Sequence, residues 1–479
     1  MTTTFTPTHE QEAIREAFAT GDDTVVQAGA GTGKTASLKL LSNDTSKRGL
    51  YLAYNKAMQV EAAAEFPENI HCSTIHSLAF GPVGTQFRDR LFGARRTPPW
   101  EIAKALGVYN DFKVGEARLT QNAISGVVKM TVDRYCFSSD TEIQHHHVPR
   151  INGFEEYQTE LQQFIKPLAN KLWADLQNPT GFGVMQHDYY LKMWALTEPE
   201  LYYDFILFDE AQDANALATQ LVQGQSCQRV VVGDENQSLY KWRGAHNALS
   251  KFPTKHDLRL TQSFRFGQAV ADEANKWLTL LDADIRLQGK GPDSVITTVP
   301  NADAVLCRSN AEVIAQAVTE KARGRSVAIS GGTKALEFFA QAVGKLLQGK
   351  KNTHPDLMAF DNWGQVQEYS KSDEGRDLRV MVSLVDNHGV DGILAIIRDT
   401  VSEDVADVTI STVHKAKGLQ WDKVKIGGDF RNLLDEQVEM RGSTRADLML
   451  HYVAVTRAQR QLDRGSLAYI DHLLTEKGH

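Results

Sequence analysis

The sequence lacks any run of ~18 or more uncharged apolar residues, so no transmembrane helix is expected. Its N-terminus, MTTTFTPTHEQ, has no basic stretch and no apolar core, which argues against a secretory signal. Cysteine is scarce. Cys72, Cys136, Cys227 and Cys307 lie far apart, giving neither a framework of paired bridges nor a metal-ligand spacing. That usage suits a reducing compartment, and the expected localisation is cytoplasmic. Positive charge is also short, with 52 Lys+Arg against 60 Asp+Glu and a formal charge of −8. A general-purpose nucleic-acid binder is usually basic, so any such contact would come from a local groove. The rest of the composition, 42% hydrophobic and 23% charged over 479 residues, is ordinary for a soluble chain of roughly two to four domains.

The chain is organised around residues 24–37, TVVQAGAGTGKTAS. A short apolar strand (Val25, Val26) runs into a turn of Ala28, Gly29, Ala30, Gly31, Thr32 and Gly33, followed by Lys34, Thr35 and Ala36. Glycines let backbone N–H groups close around a polyphosphate where a Cβ would collide. A helix starting near Gly33 adds its positive N-terminal end. This is the chemistry of a P-loop: Lys34 reaches the β/γ-phosphates of ATP, and Thr35 offers its hydroxyl to Mg²⁺. Ala28 stands where the general pattern begins with Gly.

Upstream, TPTHEQEAI reads as a helix start capped by Thr6 or Thr8, and Gln11 there has the paired amide donor and acceptor that adenine requires. Downstream, strands are expected over 50–54 and 70–74, the latter entering a turn with Thr74, His76 and Ser77. Residues 81–186 change character and read as a mainly helical insertion. Within it, consecutive His145, His146 and His147 would point in different directions, which favours a solvated loop over a metal site. Residues 205–208 (FILF) are apolar on both faces, as in a central parallel strand, and end in Asp209 and Glu210. Asp209 would hold Mg²⁺ and Glu210 would polarise the attacking water, with their loop beside the phosphate loop on one sheet. A further strand, Val230–Val232, leads to Asp234 and Gln237. Tyr240, Lys241, Trp242 and Arg243 then interleave rings with cations, the composition of a single-strand stacking site. A second α/β domain would open with LRLTQSFRF at 258–266. Its strands are expected at 305–307, 327–329, 408–410 and 424–426, with a last one before Thr456-Arg457, which places Arg457 at a helix start.

Taken in order, AGAGTGKT, DEAQD, GDENQSLYKWRGA, SFR, TVHKAKGL and YVAVTRA resemble the motifs of the UvrD/Rep/PcrA-like superfamily 1 DNA helicases. HKAKGL and HDYYLKMW make the chain most similar to the short branch containing F-box DNA helicases and phage relatives, the latter implying a host-cell cytoplasm. In this family Ala28 is the usual first residue of the loop. The resemblance implies an α/β fold of two RecA-like P-loop domains in tandem with helical insertions. Residues 1–80 and 187–250 would form domain 1A, and 81–186 a 1B-type insertion. Residues 251–330 and 403–479 would form domain 2A, and 331–402 a reduced 2B-type insertion. ATP would lie between the RecA-like domains. Gln11 and Phe264 would hold adenine, Gln237 would sense the γ-phosphate, and Arg265 and Arg457 would act as arginine fingers. Tyr54, Asn55, Thr74, His76, Trp242, Arg243 and His414 would face single-stranded DNA.

Departures from the family pattern are also visible. Gln420 replaces the usual Glu after GL, at a position implied to contact ribose, and the acidic pair before the last motif is reduced to Asp447. The implied function is a 3′-to-5′ motor on single-stranded DNA and its junctions with duplex, working with replication or recombination proteins. Two alternatives stay open: a nucleotide-gated single-strand clamp and, less consistent with the second α/β half, a small-molecule kinase. Only 22 residues follow Arg457 (479 − 457), so no nuclease domain is expected after it.

Overall fold

The computed structural model describes residues 6–93, 97–151, 153–239, 249–350, 354, 357, 360, 362–371, 378–434 and 444–476. The chain divides into two compact units, one of residues 1–28 and 34–260, the other of residues 29–33 and 261–479. Among the described residues, no helix is long and apolar enough to cross a membrane.

In the first unit, Thr8 caps helix α1 (His9–Ala19) through a capping box with Gln11. Strand β1 (Thr24–Ala28) then leads towards α2 (Lys34–Asn43), β2 (Gly49–Ala53), α3 (Lys56–Glu65), β3 (Ile70–Thr74) and α4 (Ile75–Phe80). Residues 81–195 carry α5 (Arg88–Phe92), α6 (Pro99–Ala105), the hairpin β4–β5 (Phe112–Val114 and Ala117–Leu119), α7 (Gln121–Phe137), α8 (Gln158–Leu176) and α9 (His187–Ala195). Strand β6 (Phe205–Phe208), α10 (Ala216–Gln223), β7 (Gln228–Gly233) and β8 (His256–Leu260) follow. The six-stranded sheet is parallel, in the order β3-β2-β6-β7-β1-β8. Every residue of β1, β2 and β6 is buried. Alternate residues feed two cores: Val26, Tyr51, Phe205 and Leu207 one face, Val25, Leu50, Ile206 and Phe208 the other.

One expectation changes here. Strand β8 pairs with β1, so the LRL segment completes the first sheet instead of opening the second domain. The β1 and β6 ends share one sheet, with β7 between the two strands. The helical stretch also extends further than its sequence suggested. Tyr189, Tyr190, Leu191 and Trp194 of α9 join the core formed by Val128 and Val132 of α7 and Ile165 and Leu172 of α8. Lys192 is buried with them, its Nζ donating to the carbonyls of Ser138 (2.8 Å) and Asp140 (2.6 Å).

The three histidines form a 3₁₀ turn, His145–His147, in which His147 is buried, not a fully solvated loop. His147 Nδ1 accepts the Gln144 backbone N–H at 2.8 Å, and Nε2 lies 3.2 Å from Asp140 Oδ2. Burial, reinforced by the neighbouring His146, lowers the His147 pKa to about 4, so the ring is neutral at pH 7. With Nδ1 accepting, the ring proton sits on Nε2, which leaves no lone pair there for a cation. His147 is thereby committed to hydrogen bonds within its own turn and with Ser138.

The second unit holds a short parallel pair, β9 (Gln262–Ser263) and β10 (Gln288–Gly289), separated in sequence by α11 (Gln268–Leu280). Strands β11 (Val295–Ile296), β12 (Ala304–Cys307), β13 (Val327–Ile329), β14 (Val408–Thr412), β15 (Trp421–Ile426) and β16 (Ala458–Asp463) form a parallel sheet ordered β11-β16-β15-β12-β14-β13. Helix α12 (Asn310–Ala322) follows β12. Between β13 and β14 lie α13 (Lys334–Leu347), α14 (Trp363–Lys371) and α15 (Arg379–Arg398), the last interrupted at Gly389. The strand expected before Thr456 is instead a helix, Thr444–Val455. Its run LMLHYVAV is buried all round, and an apolar run without alternation does not separate a core helix from a core strand.

His451 sits in that helix, fully buried, with its ring 4.8 Å from Trp277 and 5.6 Å from Phe430. Burial and then the charge of Arg308 lower its pKa to about 3. The unfolded chain takes up this proton near pH 6.5. This contribution to stability is therefore complete above pH 6.5 and drains away as pH falls towards 3. Thermal unfolding of the His451→Phe variant should lose less stability than wild type between pH 6.5 and 4.5. Equal losses would contradict the assignment.

Candidate nucleotide and nucleic-acid sites

The glycine turn needs its glycines. Gly31 and Gly33 have φ of +74° and +80°, and Thr32 Oγ1 donates to the Gly29 carbonyl at 2.9 Å. Residues 29–33 belong to the second unit. Within it, Phe264 N–H donates to the Gly31 carbonyl (2.9 Å), and Ala30 N–H donates to the Tyr452 hydroxyl (3.1 Å). A Cβ on Gly31 would come within 2.5 Å of the Arg265 Cβ. The Tyr452 contact occupies an amide that the sequence assigns to phosphate.

In the first unit, Ala28 ends β1 and Lys34 begins α2. Lys34 Nζ lies 3.2 Å from Glu210 Oε1. Burial alone would lower the Lys34 pKa, but the charges of Glu210, Asp234 and Asp209 outweigh it and hold the ammonium protonated. Thr35 Oγ1 donates to Asp209 Oδ2 at 3.1 Å, although β7 separates their strands. Asp209 is 1% exposed. Burial and then the Glu210 charge raise its pKa, while Lys34 and a hydrogen bond from Tyr51 oppose the shift. Thr35 and Asp209 offer hard oxygen donors, which fit a small divalent cation such as Mg²⁺.

Two side chains that sequence reading missed, Tyr51 and Gln212, support this acidic end, together with the backbone of Glu210. The Tyr51 hydroxyl donates to Asp209 Oδ2 at 2.8 Å from neighbouring β2. Glu210 adopts a left-handed backbone (φ +50°), a conformation that costs a residue other than Gly about 1–3 kcal/mol. Gln212 joins the loops after β6 and β7. Its Nε2 donates to Glu210 Oε2 (2.5 Å) and its Oε1 accepts the Asp234 N–H (3.0 Å). Gln237 is buried, with Nε2 donating to Asp234 Oδ2 at 2.7 Å. Thr35, Ala36 and Tyr51 border a cavity of about 400 Å³ between α2 and α3.

Gln11 is buried and fixed. Its Oε1 accepts the Thr8 N–H (3.0 Å) and its Nε2 donates to Ser37 Oγ (3.2 Å). An amide has two donors and two acceptor positions, so one of each remains beyond these bonds.

The residues assigned to single-stranded DNA fall at successive strand ends. Tyr54 follows β2, and Asn55 caps α3 by accepting the Met58 N–H. Thr74 ends β3 and caps α4 through the Ser77 N–H. His76 is on α4, its Nε2 3.0 Å from Asp188 Oδ1. Trp242 and Arg243 lie outside the described residues.

In the second unit, Phe264 is 48% exposed. Arg265 Nε donates to Gln420 Oε1 (2.8 Å) and Nη1 to the Thr456 carbonyl (3.2 Å). Gln420 therefore has a partner within its own unit. Arg457 is 1% exposed and follows the helix Thr444–Val455 instead of starting one. It donates to the carbonyls of Val453 (3.0 Å) and Leu419 (3.3 Å). Burial, then Arg308 and Lys417, lower the pKa of His414 on the short helix Val413–Ala416.

Comparison with known proteins adds an independent line. A family model for a UvrD-like helicase C-terminal domain matches residues 161–463, and one for an AAA domain matches residues 10–243. The chain is 30% identical to "F-box DNA helicase protein 1" of Schizosaccharomyces pombe, over 95% of this chain and 57% of that protein. It is 29% identical to "F-box DNA helicase 1" of Gallus gallus, over 98% and 50% respectively. The chain thus spans about half the length of these curated relatives. A shorter stretch, 15% of this chain and 12% of the relative, is 38% identical to "ATP-dependent DNA helicase Rep" of Salmonella typhimurium.

Tyr51→Phe removes the hydroxyl on Asp209 while preserving the ring contact with Phe66 at 4.7 Å. The variant should lose about 1–3 kcal/mol of stability in urea unfolding. An unchanged unfolding midpoint would mean that the bond contributes nothing.

Proposed function

Because the chain belongs to the UvrD-like helicase family, we propose that it is an ATP-driven motor on single-stranded DNA, moving 3′ to 5′ and opening duplex or displacing proteins in replication, recombination or repair. The observation that carries this reading is one sheet that gathers two kinds of group at its strand ends. Lys34, Thr35, Asp209 and Glu210 form a connected cluster after β1 and β6, while Asn55, Thr74 and His76 follow β2 and β3. The names of the F-box DNA helicases support the same reading.

In this mechanism an incoming triphosphate replaces Glu210 as the partner of Lys34. Glu210, held by Gln212, is then available to orient the water that attacks the γ-phosphate. Mg²⁺, held by Thr35 and Asp209, would neutralise phosphate charge. Gln237 contacts the γ-phosphate, and Gln11 uses its remaining amide positions for adenine with Phe264 stacking on the base. Arg265 and Arg457 stabilise the transferring group, for which Arg457 must release its bonds to Val453 and Leu419. Turnover changes the strand-end turns that carry Tyr54, Asn55, Thr74 and His76 and advances the strand. Trp242, Arg243 and His414 complete the DNA contacts.

The modest helical group between β13 and β14 favours a second reading, a nucleotide-gated clamp that hydrolyses ATP without unwinding. A strand-displacement assay at a single/double-strand junction separates the two. Released strand, abolished by Lys34→Ala together with at least 100-fold of DNA-stimulated ATPase, is the expected result. ATPase that survives Lys34→Ala would refute both readings, and stimulated ATPase without released strand would establish the clamp.

A further inference from the structure

Helix α9 lies far from β3 in sequence yet grips the turn that follows it. His76 Nε2 is 3.0 Å from Asp188 Oδ1, and the Tyr190 hydroxyl donates to the His76 carbonyl at 3.3 Å. The rings of His187 and Tyr190 stand edge-on to His76 with centroids 6.4 and 6.5 Å away. His187 Nδ1 lies 3.0 Å from the Tyr190 hydroxyl, so these two α9 side chains hold each other beside His76.

Stability does not explain this arrangement. The His76 and Asp188 side chains are 37% and 31% exposed, and ion pairs at such sites contribute little. What the carboxylate does supply is orientation. It fixes the Nε2–H tautomer of the neutral ring and stops the ring from flipping, as carboxylates do for functional histidines elsewhere. No hydrogen bond engages Nδ1 among the described residues, so that atom is presented for a ligand.

We propose that Asp188 is a positioning residue: from the helical stretch, it orients His76 so that the Nδ1 lone pair accepts an N–H from a base of a single strand. This rests on the reading of the chain as a single-strand DNA motor, and adds that α9 sets the geometry of a contact carried by a different segment.

A double-mutant cycle tests it. Fluorescence anisotropy with a labelled oligothymidylate would give the affinity of wild type, His76→Ala, Asp188→Asn and the double variant. The DNA concentration giving half-maximal ATPase would be measured alongside. His76→Ala should weaken binding about 10-fold, and Asp188→Asn about 3- to 10-fold in the wild-type background. Asp188→Asn should raise the half-activating DNA concentration without changing turnover at saturating DNA. In the His76→Ala background it should have no further effect. Asp188→Ser, checked for an unchanged unfolding midpoint, should repeat the pattern. Equal losses from Asp188→Asn in both backgrounds, or no loss in either, would overturn the inference while leaving the motor reading in place. A wild-type protein that fails to bind the oligonucleotide would overturn both.

Discussion

The first unit depends on holding one half-buried lysine among three carboxylates. Lys34 feels Glu210, Asp234 and Asp209 together, and Asp209 and Asp234 are almost fully removed from water. Such a cluster is costly in a low-dielectric interior unless its oxygens are hydrogen-bonded. The surrounding residues meet that demand. Thr35 and Tyr51 donate to Asp209, Gln212 to Glu210, Gln237 to Asp234, and the Asn236 N–H to Asp234 Oδ1. Even the glycine at the end of β7 answers to it, because a Cβ on Gly233 would sit 2.3 Å from Gln212 Oε1. The surplus of negative charge also explains why a divalent cation suits the site: it and Lys34 together oppose the charge that phosphates would add.

A parallel sheet makes such a cluster possible, because all its strands release their loops at one edge. The caps at Asn55 and Thr74 are the same residues that the family resemblance assigns to DNA. Their cap bonds fix the turns on which exposed groups such as His76 are displayed. Strain at Glu210 and precise caps at neighbouring strand ends are two expressions of one constraint, that the groups at this edge be held before any ligand arrives.

Much of this was legible in the chain. FILF and VVV read as central strands because they are apolar on both faces, and the residues ending them are polar for a reason that their order discloses. What escaped depended on register or on distant contacts. Tyr51 looks like one more strand hydrophobe until β2 is known to lie beside β6, where its hydroxyl reaches Asp209. Gln212 and Tyr452 act across loops that no local pattern connects. Asp188 and His76 lie 112 residues apart, so no local pattern pairs them. The buried run before Thr456 was misread because burial on all sides erases the periodicity that tells helix from strand. The LRL segment fits an edge strand of either sheet by composition, and only pairing with β1 decides between them.

The central claim is that Glu210 exchanges a structural partnership with Lys34 for a role in hydrolysis. The most direct measurement is ATP affinity and single-turnover hydrolysis in the Glu210→Gln variant. The amide keeps the shape of the carboxylate but removes its charge, both as a partner of Lys34 and as a polariser of water. ATP binding at least as tight as wild type, with hydrolysis slowed about 100-fold or more, is the predicted result. Hydrolysis at the wild-type rate would contradict the account, because the attacking water would then be activated by another group.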